Sequence, residues 1–146
     1  MSRIALILIV GVAIGIGIAS LTLAHAKENA SENGEHVKVV ASYDVKEKFD
    51  GKDATVTMVE VSFDPRGAGT SHRHPGPAFV YVVEGTYELG IDDQPTKIYK
   101  AGQTSQEPSG CLHRVSRNPA SKGNTKLIAV VVHPRSAKDI LIPANH

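Results

Sequence analysis

Gly67-Ala68-Gly69-Thr70-Ser71-His72-Arg73-His74-Pro75 leads directly into the apolar run Phe79-Val80-Tyr81-Val82-Val83-Glu84-Gly85, so two imidazoles at i and i+2 stand just ahead of a strand-forming segment. In extended backbone, alternate side chains leave the same face about 7 Å apart. His72 and His74 can then converge on one ion about 2.1 Å from each nitrogen, with Arg73 pointing away. Two solvated loop histidines would show the same spacing, and the pair alone does not choose between them. Gly67 and Gly69 shape the loop that enters this segment. No strand–loop–helix surrounds them, which argues against a nucleotide site.

Outward from this stretch, short segments rich in Val, Thr, Tyr and Phe recur between clusters of Gly, Pro, Asn and Asp, and no amphipathic helical period of useful length appears. The chain reads as all-β, with strands expected at residues 37–43, 55–63, 79–84, 86–91, 96–99, 113–116 and 126–133. Turns are expected at Asp50-Gly51 and Asp92-Asp93, and the spacing suits a sandwich or barrel. Val59, Val61 and Phe63 alternate with Glu60 and Ser62 as on a strand with one buried face, whereas residues 128–132 are continuously apolar and read as buried on both faces. From Pro134 onward the sequence fits either a short edge strand or a packed tail.

A second stretch, Gly102-Gln103-Thr104-Ser105-Gln106-Glu107-Pro108-Ser109-Gly110-Cys111-Leu112-His113, adds a third imidazole after a turn marked by Gly and Pro. With it, the sequence resembles the cupin superfamily, in its small single-domain, quercetinase-like form. The family's first motif is a Gly-rich approach, His-x-His, a Glu four residues on and a Gly seven beyond that; His72, His74 and Gly85 match it. The second motif is Gly, five residues, Pro-x-Gly, two residues, His, and Gly102, Pro108, Gly110 and His113 match it without a gap. The family's Asn three residues later is offset by one, Arg117 standing there and Asn118 following. The resemblance covers residues 60–133.

The resemblance implies a jelly-roll β-barrel in which His113 closes on His72 and His74 around a divalent transition metal. Ala78 occupies the position of the family's glutamate ligand, which leaves three His and two or three positions for water or substrate. Without that carboxylate the ion keeps its double charge, favouring anions or chelating oxygens; Fe, Ni, Cu, Co and Zn are suited to such a set, hard Mn less so. Glu107 and Glu84 are the nearest replacements in sequence. Glu107 is the candidate catalytic carboxylate, as ligand or base, against the alternative of a solvated turn residue, while Glu84 reads as structural. Tyr81 reads as a core or surface residue, and Cys111 as a small buried hydrophobe. His25, His36, His133 and His146 lie outside both motifs and read as surface or packing residues.

The first 26 residues read as a targeting segment. Arg3 precedes an apolar run at residues 4–23, and Ala24-His25-Ala26 places small residues at −3 and −1 of a signal-peptidase site. About twenty apolar residues can also span a bilayer, so an uncleaved anchor is the competing reading. Either reading puts the domain outside the cytoplasm, in the periplasm or beyond. Residues 27–35 read as a flexible polar linker and residues 36–146 as the domain. Of sixteen basic side chains only Arg3 falls in the first 26 residues, and of fifteen acidic ones none, so the remainder balances at fifteen each. No basic field exists to gather phosphates, and nucleic acid is excluded as a partner. Cys111 is the single cysteine, so no intrachain disulfide can form.

The functional expectation is a dioxygenase-like enzyme acting through the three-His centre on a small oxygen-rich or enolisable molecule. A non-catalytic cupin that binds a small molecule or metal is the alternative, and metal-free isomerase or lyase chemistry a third. Edge strands make a homodimer the expected assembly.

Overall fold

The computed structural model describes residues 28–30 and 33–144; the targeting segment expected at residues 1–26 lies outside them, as does His146. Eleven strands run in the order β1 (Glu28–Ala30), β2 (Glu35–Phe49), β3 (Lys52–Phe63), β4 (His72–Arg73), β5 (Ala78–Glu84), β6 (Thr86–Ile91), β7 (Lys97–Lys100), β8 (Thr104–Glu107), β9 (Leu112–Arg117), β10 (Thr125–Pro134) and β11 (Ile142–Pro143), with no helix among the described residues. They form two antiparallel sheets, β1-β2-β3-β10-β5-β8 and β11-β4-β9-β6-β7, in a jelly-roll barrel.

The β2–β3 hairpin turns at Asp50-Gly51, where φ is positive at both residues (50° and 71°), the geometry of a tight two-residue turn whose twist matches that of the strands. At the β5–β6 corner Gly85 has φ +76°, and a Cβ there would stand 2.3 Å from the Asn124 carbonyl oxygen, so only glycine fits. Within residues 27–35, β1 pairs with β2, Glu28 opposite Lys38, and β2 opens at Glu35.

Between the sheets lie Val59, Phe63, Val80, Val82, Tyr87, Leu89, Leu127 and Ala129. Phe63 and Tyr87 stack with ring centroids 6.0 Å apart, and the buried Tyr87 hydroxyl meets Ser116 Oγ at 3.0 Å. The burial of β10 departs from the expectation of two covered faces. Leu127, Ala129, Val131 and His133 are buried while Ile128, Val130 and Val132 are only half-buried. The run is apolar throughout because the outer face of this sheet is itself apolar, with Phe79 and Tyr81 exposed on the neighbouring β5.

Four strands were not legible in the sequence, β1 among them because its segment reads as a polar linker. β4 is two residues long, β8 is Thr-Ser-Gln-Glu with no β-branched or aromatic run, and β11 settles the open reading of the tail as an edge strand paired with β4.

Candidate metal centre

Strand register brings the two motifs together. His72 on β4 lies directly opposite His113 on β9, and His74 follows two residues on, past Arg73, whose guanidinium turns outward and donates to the Gly110 carbonyl at 2.6 Å. The Gly110 N–H in turn donates to the His74 carbonyl at 3.1 Å, tying the turn of the second motif to the end of the first. The three imidazoles are buried, with ring centroids 4.6–4.9 Å apart, and their ligand atoms all lie within 4.8 Å of one another.

Backbone carbonyls fix two of the rings. His72 Nδ1–H donates to Thr70 O at 2.8 Å and His74 Nδ1–H to Ile140 O at 2.7 Å, which leaves each Nε2 with its lone pair free. Burial holds both rings below the usual imidazole range, His72 down to about 4, so they are neutral at pH 7 and able to ligate. Glu107 ends β8 and is 1% exposed, its Oε2 2.9 Å from His113 Nε2 and 3.6 Å from His74 Nε2. Neither carboxylate oxygen of Glu107 and neither ring nitrogen of His113 has a hydrogen-bond partner. A buried polar atom left unpaired costs about 1–3 kcal/mol, more when charged, and a divalent cation at the point of convergence would satisfy this set at once. Two or three neutral nitrogens beside a carboxylate oxygen suit a first-row transition ion, so the residues fit the expected metal.

A family profile described as a cupin domain matches residues 59–131, the span that holds both histidine motifs. The chain belongs to the cupin family. Among solved structures, this cupin is similar to an oxalate decarboxylase variant from Bacillus subtilis (15% identity, TM-score 0.60, 82% of this chain and 30% of that one). It is also similar to an RmlC-like cupin from Shewanella frigidimarina (21%, 0.55, 76% and 86%) and to KdgF from Halomonas sp. (22%, 0.53, 75% and 88%). These likenesses show the fold; the chain spans under a third of the length of the decarboxylase. No curated protein sequence matches it.

The cupin's inner cavity, about 50 Å³, is lined near the imidazoles by Val37, Val59, Val61, Val80, Leu127 and Val131. Two contributors to it were not legible in the sequence. Glu35, assigned to the linker, reaches the cavity from β2, where burial raises its carboxyl above the usual range while His113 and His36 draw it back. Gly69 makes room for it, since a Cβ there would stand 2.4 Å from Glu35 Oε1. The second is the tail, which lays Ile140 and Leu141 along the cavity and supplies the carbonyl that orients His74.

Other expectations fall away from the centre. The offset Asn118 is 1% exposed and pins the loop before the His strand, its Nδ2 donating to Asp64 O and Gly123 O and its Oδ1 accepting from Ala120 N. Cys111 is buried, which pushes its thiol up to about 11 and keeps it protonated. His133 bonds Thr57 Oγ1 at 2.9 Å and His36 faces Asp64 at 3.3 Å, while Tyr81 and Glu84 are exposed.

Proposed function

We propose that this cupin is a metal-dependent, dioxygenase-like enzyme that acts on a small oxygen-rich or enolisable organic acid. The observation that carries the reading is the convergence of His72, His74 and His113 with an unpartnered buried carboxylate at a small apolar cavity. His72, His74 and His113 would hold a divalent transition ion, which when bound supplies Lewis-acid polarisation of substrate oxygens and, if redox-active, the chemistry of dioxygen.

The chain's own groups do the rest. The Thr70 and Ile140 carbonyls lock the tautomer and aim of His72 and His74, so these two need not reorganise as substrate arrives. The valine and leucine lining excludes water and strengthens every charge interaction within. Since about 10–15 Å³ admits one water, a cavity of about 50 Å³ has room for about three to five water-sized groups, the size of a two-carbon acid rather than a flavonoid. A fold neighbour named for oxalate decarboxylation fits that size class. Glu35, raised by burial at the cavity, is placed to hold a proton beside the bound acid.

Oxygen uptake by the metal-loaded protein, screened against short 2-oxo, 2-hydroxy and dicarboxylic acids, tests the proposal. Uptake dependent on both metal and acid is expected. A non-catalytic binding module is the second reading, favoured by Ala78 in the glutamate position, and tight acid binding without turnover would select it. Export through residues 1–26, cleaved or retained as an anchor, belongs to the same proposal, and N-terminal sequencing from the native compartment should begin at Lys27 if cleavage occurs. Pairing of two copies is supported by the apolar outer face that carries Phe79, Tyr81, Ile128 and Val130.

A further inference from the structure

The glutamate missing from the first motif has a counterpart one strand away. Ala78 on β5 and Glu107 on β8 are direct cross-strand partners, and both face the interior, at 0% and 1% exposure. Cross-strand neighbours on one face hold their Cβ atoms about 5 Å apart, within the reach of a glutamate side chain, and alanine leaves the space that such a side chain needs. We infer that Glu107 is a fourth protein ligand of the centre, replacing from β8 the carboxylate that Ala78 lacks. The inference rests on the three-His reading and deepens it.

Three observations agree. First, Glu107 Oε2 stands 2.9 Å and 3.6 Å from the Nε2 atoms of His113 and His74. Two donor atoms each about 2.1 Å from one ion, at tetrahedral or octahedral angles, lie roughly 3.0–3.4 Å apart. The two distances bracket that range, so a shift of a few tenths of an ångström lets the carboxylate share an ion with those imidazoles. Second, apart from the approach of Oε2 to His113 and His74, neither oxygen has a hydrogen-bond partner although the side chain is buried. Third, Glu107 is fixed where it stands. Pro108 follows it, and its backbone is held in β8 against β5, so the side chain has no solvated alternative nearby. Ligation has a consequence for the metal. One carboxylate reduces the centre's charge from two to one and adds a hard oxygen, which readmits Mn beside the ions that three imidazoles alone would favour.

The test is direct metal binding by the full chain freed of metal, read as Co2+ absorption and Mn2+ affinity, for the wild type, Glu107→Gln, Glu107→Ala with Ala78→Glu, and His113→Ala. Loss of an outer-shell partner costs about 10- to 100-fold in affinity. Glu107→Gln is expected to exceed that for Mn2+ and to change the Co2+ spectrum, and the double variant, with the carboxylate back on β5, to recover both. Circular dichroism checks that each variant is folded. Wild-type affinity and an unchanged Co2+ spectrum in Glu107→Gln, with binding lost in His113→Ala, would overturn the inference and leave the three-His reading standing. A wild type that binds no metal would overturn both.

Discussion

The two flanks of the centre are finished to different degrees. On the β4 side, His72 and His74 each have one nitrogen committed to a backbone carbonyl and the other aimed inward. On the β8–β9 side, His113 and Glu107 meet each other at 2.9 Å but have four buried polar atoms without a hydrogen-bond partner. The first flank is organised by the fold alone, whereas the second has donor atoms that a cation would satisfy. Metal affinity should therefore be set largely by the unsatisfied flank, and its fine adjustment by the organised one.

The strongest way to break this contrast is His113→Ala. It removes the ring that links the carboxylate to the other imidazoles, and elemental analysis should find the stoichiometric metal gone. Retention of metal at wild-type levels would mean that the His72–His74 pair suffices and that the two flanks are not one site.

Acid should act next most strongly, through the organised flank. In the metal-free protein His72 titrates at about 4, against an ordinary value of 6.5, and His74 is lowered as well, burial being the main cause for both. The unfolded chain takes up protons as pH falls through 6.5 while the folded protein does not until much lower. Stability from His72 is thus complete above pH 6.5 and is lost as pH falls toward 4, at about 1.4 kcal/mol per pH unit, and His74 acts in the same direction. Thermal melts of the metal-free protein should be flat in this contribution above neutrality and decline steadily below pH 6.5. Bound metal should steepen the decline, since protons then compete with it for the same nitrogens. A melting temperature unchanged between pH 7 and 5 would show that the rings are not held neutral by the fold.

A smaller effect should follow from ending the chain after Asp139. This removes the Ile140 carbonyl that orients His74 and the β11 pairing with β4, with the Ala144 N–H to Ser71 O bond of 3.2 Å. Metal affinity should fall about 10- to 100-fold, the range for an outer-shell partner, with the fold retained. Calorimetric titration with Zn2+ would measure it, and an unchanged affinity would mean that the tail only covers the cavity.

The same division explains what could be read in the sequence. The His72–His74 pair was legible from the period of an extended strand, and His113 because its spacing from Gly102, Pro108 and Gly110 matches the second cupin motif. Glu107 was legible as a candidate, but its burial depends on β8, a polar tetrapeptide that carries no strand signal and exists because β5 offers it an edge. Glu35 was hidden by a polar neighbourhood, and only the long β2–β3 pairing, which sets it opposite Phe63, carries it to the cavity. The Ile140 carbonyl is a main-chain atom, and no residue type marks it. In β10 the apolar run at residues 128–132 gave the strand but not its exposure, because side-chain character does not tell a covered outer face from an uncovered one.

The smallest expected effect comes from Ser71→Ala, and it separates the flanks most finely. Ser71 Oγ, just ahead of β4, donates to the His113 carbonyl of β9 at 2.8 Å, a bond that touches the backbone of the unsatisfied flank and leaves its imidazole free. Deleting the hydroxyl should cost about 1 kcal/mol of stability, the net worth of one such bond in a half-buried place, because the carbonyl keeps access to a second lone pair and to water. Metal affinity should stay within a few-fold of wild type, since the β4–β9 ladder still holds His72 opposite His113. Denaturant melts alongside Zn2+ titration would report both quantities. If affinity fell with stability, His113 would owe its position to this one hydroxyl. The unsatisfied flank would then be waiting on the packing of β4 and β9 as much as on a cation.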